Sequence, residues 1–228
     1  MNIYFLVEGK TERKVYPKWL ANLAPGLERV DSPSDATKNN YYLISGGGYP
    51  GILDNHLIDS ARDVHASGNY DYLVLAIDAD DSNAARKTKE VDDFIRDNNI
   101  AFNNVKFVVM PQVVCMETWF LGNRRIYSRN PSADGIPFTS HYDISSNDPE
   151  QMPKPDEYNG SIGNYHYHYL KAMLIEKNVR YSKSNPNSVT ESSYIDELWK
   201  RLNSSQDCLE SMRRLFGFFK MVDSRIKP

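Results

Sequence analysis

Glu8, Asp78 and Asp80 are the residues whose types and spacing best suit chemistry. Glu8 ends the apolar run Ile3–Val7 and precedes Gly9, while Asp78-Ala79-Asp80 ends residues 72–77, the most apolar run of the chain. A carboxylate directly after such a run sits where a buried strand leaves a sheet, and α/β sheets bind ligands beyond the carboxyl ends of their strands. Carboxylates gathered at one edge repel unless a cation neutralises them, and an all-oxygen donor set suits Mg²⁺ or Mn²⁺. Asp78 and Asp80 are two residues apart, which on extended chain points both side chains the same way. If residues 9–12 turn into a helix, Glu12 adds a further ligand or a general base. Gly9 has no Cβ, so the turn can be tight and a phosphate can approach the backbone. Lys10, Arg13 and Lys14 offer cations that steer phosphates.

The elements that must hold these residues read as βαβαβαβ. Residues 3–7, 41–44, 72–77 and 105–110 are apolar runs with strand character, the last closed by Pro111. Helical periodicity follows Thr11 and Glu12, with Pro17 implying a kink or a late start. It returns at Ile52, Leu53, Leu57, Ala61 and Val64, stopped by Gly68-Asn69, and at Ala84, Val91, Phe94 and Ile95. Alternation of this kind predicts a mostly parallel four-stranded sheet with helices on both faces. Residues 24–40 read as loop, and Gly46-Gly47-Gly48 as a flexible connection rather than a phosphate cradle. Beyond Pro111 a short helix over residues 116–121 leads into an irregular stretch, 124–163, and then helical candidates near 167–177, 191–202 and 207–222. The expected division is a catalytic domain over residues 1–115 and an irregular and helical extension over 116–228 that covers the site.

With 40% hydrophobic and 25% charged residues in 228, the chain is expected to fold. A net charge of -3 and a pI near 6.0 provide no global basic field, so contact with nucleic acid must come from a local patch or from bound metal. Cys115 and Cys208 lie too far apart for a zinc motif and read as free thiols. Nothing resembles a signal peptide or a membrane span, and a cytoplasmic location is expected. Some features have plain structural readings. Asp78-Ala79-Asp80 alone also suits a turn or helix cap, Glu12 a solvated first turn and Glu117 a surface carboxylate beside a core Trp119. His166 and His168 share a face only if their segment is extended, and a helix start with partly buried aromatics is the favoured reading.

Phe5-Leu6-Val7-Glu8-Gly9-Lys10-Thr11-Glu12, followed about seventy residues later by Leu75-Ala76-Ile77-Asp78-Ala79-Asp80, resembles the glutamate and DxD motifs of TOPRIM domains. The second glutamate is similar to the branch containing OLD-type and RloB-type nucleases. Looser similarities to small stand-alone relatives run through residues 116–121, Asn147-Asp148-Pro149-Glu150, Pro153-Lys154 and residues 211–219. The resemblance implies a Rossmann-like TOPRIM domain and metal binding by Glu8, Asp78 and Asp80, with Glu12 and Glu117 as further ligands or support. Gly9, Lys10 and Lys14 would contact phosphate or nucleic acid. Asn83 stands where many TOPRIM domains have glycine, which puts a topoisomerase-like role in doubt. There is no G-x-x-x-x-G-K-[ST] loop, so any ATPase must be a separate partner, as in RloB-type systems.

The expected function is therefore a Mg²⁺- or Mn²⁺-dependent nuclease cutting DNA or RNA, an effector of anti-phage defence working with an ATPase. The alternatives are a non-catalytic nucleotide- or metal-binding regulatory module and a primase- or topoisomerase-like subunit. A homodimer is left open.

Overall fold

In the computed structural model, which describes residues 1–227, the chain builds an α/β fold around a parallel sheet in the order β2-β3-β1-β4-β5. The strands are β1 (Ile3–Val7), β2 (Glu28–Arg29), β3 (Asn40–Ser45), β4 (Tyr72–Asp78) and β5 (Lys106–Gln112). The sheet has five strands rather than the expected four. The addition, β2, is two exposed charged residues pairing with Asn40 and Tyr41, and it carries no apolar pattern to betray it. β5 continues through Pro111 instead of stopping there. It is an edge strand, where a missing N–H is tolerated.

Two units divide the chain. The first comprises residues 1–77, 84–111 and those from 214 on; the second comprises 78–83 and 112–213. The division is not a simple split into N- and C-terminal parts. The Asp78 turn groups with the later residues, and the last helix returns most of its length to the first unit.

In the first unit, strand alternation sorts the core onto two faces. Tyr4, Leu6, Leu73, Leu75 and Ile77 share one buried cluster with Ile52, Leu57, Val64 and Val91, which belong to the helical segments after β3 and β4. Those segments are a π-helical turn (Ile52–Leu57) running into α2 (Ile58–Ser67), and α3 (Ala84–Asp97). α2 stops at Gly68, whose φ of 67° is the left-handed cap expected of a glycine. Phe5 on the opposite face meets Tyr16 of α1 (Lys10–Leu23) and Phe219 of α8 (Glu210–Ile226), and Trp19 meets Phe216, all edge to face. α1 starts at Lys10 with Pro17 in its interior, so the late start does not occur. Because α1 follows β1 on one face and α3 follows β4 on the other, the sheet reverses its winding between these adjacent strands. That is a topological switch point, the place where such sheets take ligands.

The second unit is mostly helical: α4 (Met116–Phe120), α5 (Ile136–His141), α6 (Ile162–Ile175), α7 (Ser192–Ser204) and the first residues of α8. α6 starts earlier than its periodicity suggests because Ser161 caps it, accepting from Asn164 N. Arg201 is almost fully buried, and its guanidinium donates to the carbonyls of Ile144 and Asn147, which fixes part of the irregular stretch to α7. Among the described residues no helix is long and apolar enough to cross a membrane.

Candidate functional site

In the first unit, Val7 of β1 is in register with Ala76 of β4, so both strands present their carboxyl ends at one edge. Glu8 is the next residue after β1 and is half-buried. The loop after β3 wraps it. Gly46 N donates to Val7 O at 2.8 Å, Gly48 N to Glu8 O at 3.0 Å, and Tyr49 N to the Glu8 carboxylate Oε1 at 3.3 Å. Ser45 Oγ adds a contact to Glu8 O at 3.3 Å. The glycines are required here: a Cβ on Gly46 would lie 2.5 Å from Ile52, and Gly47 and Gly48 have φ of 73° and 106°. The triple glycine is therefore a holder for Glu8, not merely a flexible connection.

Gly9 has another reason for being glycine. Its backbone is extended (φ -121°, ψ -179°), so no special turn demands it. Instead the Glu12 carboxylate folds back over it, with Oε2 only 2.7 Å from where a Gly9 Cβ would be. Glu12 is 4% exposed in the first turn of α1, so it is not a solvated helix residue. Lys10 and Lys14 are exposed on the same helix. Tyr49, 48% exposed, holds the Lys87 ammonium 4.4 Å from its ring centre, and Lys87 also pairs with Glu90 at 3.1 Å. Neither Tyr49 nor Lys87 stood out in the sequence; Gly-Gly-Gly-Tyr-Pro directly after a strand was the available signal.

In the second unit, the β4 chain continues past Asp78 with Ala79 N donating to Gln112 O at 2.8 Å and Asp80 N to Val114 O at 2.9 Å. Burial alternates as extended chain requires, with Ala79 inward, Asp78 half-buried and Asp80 exposed. At Asp80 the backbone enters the left-handed region (φ 50°), which aspartate tolerates better than most residues. Burial pushes the nearby Cys115 thiol well up, and the charges of Glu117 and Asp78 push it further in the same direction. Both carboxylates thus act on one buried sulfur.

No family model, curated protein or solved structure matches this chain.

The remaining acidic and imidazole groups of the second unit are engaged by the unit itself. Glu117, expected as a further metal ligand, is 2% exposed; it accepts from Tyr181 Oη at 2.8 Å, and Lys183 Nζ lies 3.6 Å from its other oxygen. Glu150 accepts from Ser211 N at 3.2 Å and from Ser211 Oγ, so it caps the start of α8. Asp148 accepts from Glu150 N and from Leu209 N. The Asn147-Asp148-Pro149-Glu150 motif and the residue 211–219 motif therefore meet as a staple. His166 is fully buried in α6, and burial lowers its pKa to about 4, leaving it neutral. Its Nε2 contacts Met152 O at 2.9 Å and so donates, which makes Nδ1 the acceptor of the Thr118 hydroxyl at 2.8 Å. His168 is exposed beside Tyr158, so the two imidazoles do not share a face.

Glu8 with Glu12 in one unit, and Asp78 with Asp80 in the other, supply only carboxylate oxygens. That chemistry fits a hard divalent cation. Among the described residues, no group of three or more His, Cys, Asp or Glu side chains is drawn together as a metal site.

Proposed function

We propose that this chain is a divalent-metal-dependent nuclease that hydrolyses phosphodiester bonds of DNA or RNA, with Glu8, Glu12, Asp78 and Asp80 as the residues that would hold Mg²⁺ or Mn²⁺. The observation that supports the reading is the register of Val7 with Ala76, which brings the carboxyl ends of β1 and β4 to one edge of the sheet at a switch point. A bound divalent cation would supply charge neutralisation at the reacting phosphate. The chain's own part is positioning. The Tyr49 N–H donates to the Glu8 carboxylate and the Gly48 N–H to its carbonyl, Gly9 leaves room for Glu12, and Lys10 and Lys14 offer positive charge to incoming phosphates. Glu117 is better accounted for by Tyr181 and Lys183 than by a metal. The TOPRIM resemblance supports the same reading and extends it to an effector of anti-phage defence held by a separate ATPase.

The test is cleavage of labelled single- and double-stranded DNA and RNA with Mn²⁺ or Mg²⁺. Asp78→Ala and Glu8→Ala should each lower cleavage by about 10²- to 10³-fold while the fold persists. Cleavage undiminished by either change removes the proposal, and metal binding without product in the wild type would leave a regulatory module in its place.

A further inference from the structure

The connection from α6 to α7 carries a concentration of positive charge in an acidic chain. Residues 171–185 contain Lys171, Lys177, Arg180 and Lys183 against Glu176 alone, whereas the chain as a whole has a net charge of -3. Glu176 is occupied, accepting from Ser132 N at 3.0 Å and from the Ser132 hydroxyl. Two cavities open here, both within the second unit. One, of about 530 Å³, is lined by Lys177, Arg180 and Arg125 together with amide side chains such as Asn178 and Asn187. The other, of about 470 Å³, is lined by Lys171, Tyr181 and Ile175, whose side chain is 56% exposed. Arg180 and Asn185 line both, so the cavities adjoin and a ligand spanning them passes Arg180.

The chemistry of this lining selects among ligands. Cations spaced along a groove match the regularly repeated charge of a sugar-phosphate backbone, and amides that both donate and accept suit sugar and base edges. An exposed apolar side chain and a tyrosine in the second cavity add surface for a base. Two adjoining cavities fit a ligand with repeating units better than a single free phosphate, and a duplex cannot enter cavities of this size. Two acidic residues, Glu191 and Glu197, also line the first cavity; Glu197 is held by Lys200 at 2.7 Å and Arg125 at 3.5 Å, which leaves Lys177 and Arg180 to face a ligand beside Glu191. The loop that forms the groove is anchored from below, because Tyr181 and Lys183 both reach the buried Glu117.

We infer that this groove binds the backbone of a single-stranded nucleic acid, with Lys171, Lys177 and Arg180 contacting successive phosphates. The inference deepens the nuclease reading and rests on it for biological sense, but it is tested on binding alone. The experiment titrates full-length protein, in EDTA so that no cleavage intervenes, into a labelled single-stranded oligonucleotide of about 12 nucleotides and into the matching duplex. The wild type should bind the single strand more tightly. Lys177→Ala/Arg180→Ala should weaken it about tenfold and flatten the slope of log K against log salt by about 1.4, the loss of two single-strand phosphate contacts. Lys177→Arg/Arg180→Lys, which keeps the charges, should bind as the wild type does and guards against a folding defect. Absence of binding by the wild type, a preference for the duplex, or an alanine variant with unchanged affinity and salt slope would each overturn the inference. Binding is read in EDTA and cleavage with Mn²⁺ or Mg²⁺, so a failure of the nuclease reading and a failure of this one give different results.

Discussion

The carboxylates of this protein fall into two regions that treat charge in opposite ways. At the strand ends, Glu8 and Asp78 are half-buried and Asp80 is exposed, and the Tyr49 backbone N–H after the glycine loop donates to the Glu8 carboxylate. In the helical unit, Glu117 and Glu150 are buried and met by hydroxyl, ammonium and backbone donors of the unit itself. Burying a carboxylate is costly without such partners, so a fold that supplies them has assigned the group to its own architecture. The comparison separates residues that a sequence motif alone groups together, Glu117 being the clearest case.

The comparison breaks most visibly if substitutions at the two regions have the same effect. Replacing Asp78 with alanine should lower metal-dependent cleavage by about 10²- to 10³-fold, the scale of losing one charge-stabilising group, with an unchanged unfolding midpoint. Glu150→Ala should do the reverse, costing about 1–3 kcal/mol of stability by stranding the buried Ser211 donors, as read from urea unfolding, with cleavage per folded molecule retained.

A pH series sharpens the same point. Burial raises the Glu150 pKa from its ordinary value to about 7. The folded state then binds that proton more tightly than the unfolded chain does between roughly pH 4.5 and 7, so this group's contribution to stability is full below that window and is lost as pH rises through it. The loss is on the order of 3 kcal/mol at most, and Glu150→Gln should remove that part of the pH dependence of urea unfolding. A persisting slope would mean that another group is responsible.

Smaller effects are expected around Glu117 and Gly9. Tyr181→Phe should cost about 1 kcal/mol, one neutral-to-charged hydrogen bond partly compensated by Lys183, and leave the metal dependence of cleavage unaltered. Gly9→Ala should barely change stability, because the flexible end of Glu12 can move aside, but it should weaken the response to metal. A Gly9→Ala variant with an unaltered metal response would detach Glu12 from the site.

Much of the frame was legible in the sequence because it rests on apolar periodicity. The runs ending at Val7 and Ile77 became the adjacent central strands, and helix α3 appeared where Ala84, Val91, Phe94 and Ile95 put it. What could not be read has physical reasons. β2 is too short and too polar to leave a pattern. The hold on Glu8 is made by backbone N–H groups, which every residue has, so only the glycines hinted at it. The true partners of Glu117 lie 64 residues away at Tyr181, across a loop with no periodicity. Gly9 was expected for a tight turn, but its backbone is extended and it instead leaves room for the Glu12 carboxylate, a distinction that needs coordinates.

The claim that the acidic groups ending β1 and β4 serve one cation is tested most directly by Mn²⁺ binding, measured calorimetrically on the wild type, Glu8→Gln, Asp78→Asn and the double variant. If they share an ion, each single change should abolish the same high-affinity site and the double variant should lose nothing further. Mn²⁺ affinity in Glu8→Gln equal to that of the wild type would contradict the account.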